Sequence, residues 1–180
     1  MSFFSRALVT ATLVLVPGST LLAQQSKPRP LSPRDTTAQT IGDAHLVIDY
    51  GRPSKRGREI FGGLVPYGVV WRTGANEATH IRTDYDLTIG TVRVPRGTYT
   101  LWTIPDRESW TLIVNRQTGN WGTDYDKTSD LARIPMKVTK LGTPVEQFAI
   151  AIERTGKDAG TLVLRWDTTE ASVPIRVAAK

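Results

Sequence analysis

A chain of 180 residues has room for one domain with a real hydrophobic core. It has no cysteine, which excludes disulfides, thiol catalysis and cysteine-ligated zinc and leaves packing to hold the fold. The net charge of +6 suits anionic partners, but basic and acidic residues alternate along much of the chain, and the one dense basic cluster has no interleaved aromatics, which argues against nucleic acid.

Residues 1–23 read as a signal peptide. Arg6 supplies a positive start, Ala7 to Val16 is apolar but too short to span a bilayer, and Ala23 offers a small residue for cleavage before Gln24. The expectation is export, to the periplasm or beyond, with no transmembrane segment in the mature chain. Residues 24–39, with Pro28, Pro30 and Pro33 among polar residues, read as a flexible tether. The domain proper is then 40–180.

From there the apolar period is two rather than 3.6, the signature of strands. Ala44 to Tyr50 is a strand, followed by a basic, glycine-rich loop to Gly63. Val69 to Arg72 is extended, and Ala78 to Tyr85 alternates, with Thr79, Ile81 and Thr83 opposite His80, Arg82 and Asp84. Leu87 to Val94 and Gly97 to Ile104 flank the turn Pro95-Arg96-Gly97 and predict a hairpin; Trp110 to Asn115, after Asp106 to Ser109, predicts a second. Gln117 to Ser129 is a long polar loop. Ala132 to Leu141, Val145 to Arg154, Gly160 to Trp166 and Ala171 to Val177 complete eight or nine short strands. That count and spacing predict an antiparallel β-sandwich, with a β-barrel as the alternative.

The richest segment is Trp71-Arg72-Thr73-Gly74-Ala75-Asn76-Glu77-Ala78-Thr79-His80, polar side chains held between two extended pieces. Arg72 is suited to a bidentate grip on a carboxylate or phosphate, Asn76 and Glu77 to sugar hydroxyls, and Trp71 to stacking. Against this stands a structural alternative: Arg72 paired with Glu77, Asn76 in a left-handed turn, and Trp71 in the core. Arg56 and Arg58 in the basic loop add charge, and a loop folded over Arg72 makes an anion pocket; a solvated loop is the simpler reading. Trp121, flanked by glycine, is the candidate exposed stacking residue, whereas Trp110 and Trp166 follow core parity.

Metal ligation finds little support. His45 and His80 each have an aspartate four residues on, which in a strand lies roughly 13 Å away. Asp124, Asp126 and Asp130 lack the order of a calcium loop, and Asp130 is suited to capping a turn. No serine has a nucleophile-elbow context. No cofactor is expected.

The run from Tyr50 through the basic loop to Thr79, with Pro95-Arg96-Gly97-Thr98-Tyr99-Thr100-Leu101-Trp102-Thr103-Ile104-Pro105 and the Trp121-Gly122 loop, resembles the exported bacterial family catalogued as domain of unknown function 2911. The resemblance covers roughly Ala44 to Val177 and implies an exported β-rich domain; it implies no activity, cofactor or catalytic residue. The leading functional expectation is a binding module for a small polar or anionic ligand such as a sugar, using Trp71, Arg72, Asn76, Glu77, Arg56, Arg58 and Trp121. A second is an envelope hydrolase with Glu77 and His80 as acid and base. A third is a structural or protein-interaction domain. Whether the protein is an enzyme, and its oligomeric state, stay open.

Overall fold

The computed structural model describes residues 31–178; the expected signal peptide lies outside the described residues. Nine antiparallel strands form one sheet: β1 (Arg34–Ile41), β2 (Ala44–Gly51), β3 (Thr79–Thr83), β4 (Leu87–Ile89), β5 (Val92–Val94), β6 (Gly97–Ile104), β7 (Ser109–Asn115), β8 (Asp130–Arg154) and β9 (Ala159–Val177). Their spatial order is β1-β2-β3-β6-β7-β8-β9-β4-β5, so β1 and β5 are edges and the sheet is not closed. The sandwich expectation holds and the barrel does not.

A single sheet makes two layers because β8 and β9 are long and bend. Between Lys140 and Ala149 the register of β8 against β9 shifts twice, which inserts extra residues on the β8 side. The bend brings β2 and its two ends back over β8–β9. The Gly42 amide bonds to the Lys157 carbonyl, Tyr50 Oη receives the Ile150 amide, and Ser54 bridges to Gln147 beyond the end of β2. The core lies between these layers. Ala44, Leu46, Ile48 and Tyr50 of β2 point in, as strand parity dictates, and meet Phe148, Ile150 and Ile152 of β8.

Several expected boundaries moved. The proline pattern predicts a tether to Gln39, but the chain is already paired from Arg34, opposite Gly51. Leu87 to Val94 is a tight hairpin, β4–β5, whose strands pair with each other, β4 also pairing with β9, and neither pairs with β6. The predicted β6–β7 hairpin is present, with Thr100 to Ile104 opposite Thr111 to Asn115. Ala132 to Leu141 and Val145 to Arg154 are one strand, as are Gly160 to Trp166 and Ala171 to Val177.

A second, smaller apolar cluster sits on the outer face of β6–β7. Trp102 and Ile113 pack there with Ala78, and Val70, Ile104 and Tyr125 cover them. The long β2–β3 connection supplies both clusters: Trp71 packs on the main core and its neighbour Val70 on the outer one. The next residue in the chain is Arg72.

Candidate functional site

Trp71 is fixed by backbone hydrogen bonds in both directions with Thr103 of β6. Its indole joins Phe61, Trp110, Phe148 and Trp166, stacked on Trp166 at 5.9 Å and edge-on to Phe148 at 5.1 Å. The chain then turns sharply: Thr73 has φ 52° and Asn76 φ 65°, the left-handed conformation expected of an asparagine beside glycine. Thr79 Oγ1 donates to the Thr73 carbonyl at 2.8 Å, and the hydroxyls of Thr73 and Thr103 lie 3.1 Å apart, both buried. Gly51 lets this turn lie flat on the end of β2, since a Cβ there would stand 2.1 Å from the Ala75 carbonyl oxygen.

Arg72 emerges from this rigid base half-buried, with no hydrogen bond or ion pair to another side chain among the described residues. Two clefts meet at it. The smaller, about 300 Å³, brings together Arg72, Arg58, Asn76 and Trp71; the larger, about 520 Å³, runs over the outer cluster past Val70, Trp102 and Tyr125. Leu64, Val65, Trp71 and Arg72 border both. No carboxylate lines either cleft. A half-buried guanidinium without a counter-charge is costly to desolvate, and an anion is what relieves the cost.

The basic loop does fold toward Arg72, and one of its arginines reaches the site. Arg58 is tied down by bonds to the Lys55 and Ser54 carbonyls at 3.0 and 2.6 Å, so neither donor is spent on an acid. Lys55 pairs with Asp167 at the β8–β9 bulge and anchors the loop. Arg56 donates to the Leu31 carbonyl at 3.0 Å and lines neither cleft.

Glu77 takes a different direction. Its carboxylate lies 3.4 Å from Arg34, whose Nε is 2.6 Å from Asp49, a close charge contact not aligned as a hydrogen bond. The suggested Arg72–Glu77 pair is therefore replaced by Arg34–Glu77. His80 stands opposite Asp49, and its Nε2 accepts from the Gly119 amide at 3.3 Å. Burial, and then Arg34, hold its pKa below the usual histidine value against the opposing pull of Asp49. Trp121 is exposed as expected, bridges Glu77 through the backbone, and borders neither cleft with its own side chain.

His45 lies at the far end of the β2–β3 pair from His80 and bonds through its amide to Asp84. Among the described residues no three histidines, cysteines, aspartates or glutamates come together to hold a metal. The polar loop spends its acids locally. Asp126 caps the 3-10 turn Lys127–Ser129, the role the sequence suggested for Asp130, whereas Asp130 takes Asn115, Tyr125 and Arg133.

The cleft walls Leu64, Val65, Val69, Val70, Trp102 and Tyr125 were not among the predicted site residues. The signal for Leu64, Val65, Val69 and Val70 was present in Phe61-Gly62-Gly63-Leu64-Val65-Pro66-Tyr67-Gly68-Val69-Val70, an apolar run too rich in glycine to be a strand. No curated protein and no solved structure is significantly similar to the chain. Residues 32–175 match the family described as protein of unknown function (DUF2911).

Proposed function

The chain belongs to this family, whose description assigns no activity, and we propose from the site itself that the protein is an exported binding module for a small anion. The supporting observation is the half-buried, unpaired Arg72 in a cleft with Arg58 and without any carboxylate. Arg72 presents a planar fork that matches a carboxylate or phosphate, and Arg58 adds a second positive charge. Asn76 and the peptide groups of Gly74 and Ala75 line the same cleft and supply neutral polar contacts. The site is preformed because the turn beneath it is held by buried threonine bonds.

The test is a thermal-shift and calorimetric panel of phosphate, sulfate, succinate, glucuronate and neutral glucose, run on the protein and on Arg72→Met. An anion at 100 times its Kd adds about 2.7 kcal/mol, a rise of several degrees. The expected result is a rise with anions but not with glucose, weakened by salt and absent in Arg72→Met. The variant itself should melt no lower than the parent, because methionine keeps the stem and removes an unpaired charge. Anion shifts that survive in Arg72→Met, or a panel in which glucose matches the anions, would sink the reading.

A further inference from the structure

The larger cleft raises a question that a small anion leaves unanswered. Beside Arg72 and the polar Thr123, its walls are largely aliphatic and aromatic: Pro66, Val69, Val70, Trp102 and Tyr125. Leu64 and Val69 at its border are 48% and 53% exposed, and the 48% exposed Trp121 precedes Gly122, which lines it. These are three of the four large apolar side chains left open to water among the described residues. One more group lacks a partner here: the Trp102 indole N–H is buried with no acceptor. The volume, about 520 Å³, is in the range of small-molecule sites.

These features select a ligand. A wholly polar anion such as phosphate gains nothing from Val69, Val70 and Pro66. A hydrocarbon covers them but leaves the half-buried guanidinium of Arg72 without a counter-charge. A molecule with an acid head and an apolar body satisfies both. Resting on the reading of Arg72 as the anion anchor, we propose that the ligand is an organic monocarboxylic acid whose carboxylate meets Arg72 and whose apolar body lies in the larger cleft over Val69 and Val70. The smaller cleft then takes the head group's solvent side, near Arg58.

The experiment is calorimetric titration with acetate, butanoate, hexanoate and octanoate at fixed pH and salt, with 1-octanol as the neutral control. Each buried methylene is worth up to roughly fourfold in affinity. Octanoate should therefore bind at least tenfold more tightly than butanoate, octanol far more weakly, and the Trp102 indole N–H resonance should shift on octanoate binding. The double variant Leu64→Ser/Val69→Ser alters two exposed side chains, so the fold should persist; it should flatten the dependence on chain length, the octanoate affinity falling toward that of acetate. Arg72-dependent anion binding that is indifferent to chain length would overturn this proposal alone. Octanoate binding unchanged in both Arg72→Met and the double variant would also overturn it, as adsorption elsewhere. Failure of every acid, short and long, would remove the anion reading with it.

Discussion

The stem of Arg72 packs against a residue that has no side chain, Gly122. A Cβ on Gly122 would stand 2.4 Å from the Asn76 carbonyl oxygen, which accepts the Gly122 amide, and 2.6 Å from Arg72 Cδ. The first contact is backbone and cannot yield; the second is the stem that carries the guanidinium. Gly122→Val should therefore cost about 1–3 kcal/mol through overpacking and push Arg72 off its line into the clefts. Urea denaturation together with phosphate or octanoate titration checks this, and affinity should fall at least tenfold. A loss of stability with affinity intact would show that Gly122 supports the loop and not the arginine. That Arg72 suits an anion was legible from its chemistry. What was not legible is its freedom, because the competitor for Glu77 is Arg34, 43 residues earlier and inside the segment that proline content marked as a tether. A local pairing rule has no access to such a contact.

At the level of elements, strand parity was readable wherever one face is buried. Thr79, Ile81 and Thr83 lie inward on β3, and His80 and Arg82 outward. Turn signals were less dependable. The Pro95-Arg96-Gly97 turn joins strands that do not pair, since two residues, Gly90 and Thr91, already reverse the chain inside what reads as one apolar run. Gly142-Thr143-Pro144 breaks nothing: β8 absorbs it as a bulge, which a strand can do where the partner register shifts. The β2–β3 pair also carries a pH response. His80 faces Asp49 and Arg34, with Glu77 beyond, and its ring is partly desolvated. Its folded-state pKa is lowered, so on acidification the unfolded chain takes up the proton first. The contribution of His80 is complete above its ordinary value of 6.5 and is lost as pH falls through the lower folded value. Urea midpoints at pH 7.5 and 5.5 should drop more in the parent than in His80→Gln. Equal slopes would place the acid sensitivity on carboxylates instead.

Across the whole molecule, the absence of cysteine leaves the joining of the two layers to packing and backbone bonds, and they converge on Phe148. It is fully buried on β8, its amide bonds to the Pro53 carbonyl beyond the end of β2, and its ring meets Tyr50 at 5.8 Å, Trp71 at 5.1 Å and Trp166 at 5.8 Å. Strand alternation puts Phe148 on one face with Ile150 and Ile152, but periodicity says only which residues share a side. That β8 folds back so that its middle meets the chain leaving β2 follows from long-range closure. Trp71 is the physical link from this junction to the site, since Arg72 follows it directly. Phe148→Ala should cost about 3–5 kcal/mol, a large share of a stability of roughly 5–15 kcal/mol. Fluorescence of the buried tryptophans and far-UV dichroism should still lose their signals together in urea, because the same cluster joins both layers. Anion affinity should weaken in the fraction that stays folded, as Trp71 loses its edge-on support. A penalty below about 1 kcal/mol, or two separated transitions, would mean that the layers hold independently. The rigidity of the Arg72 cleft would then belong to the Thr73–Thr79–Thr103 bonds alone.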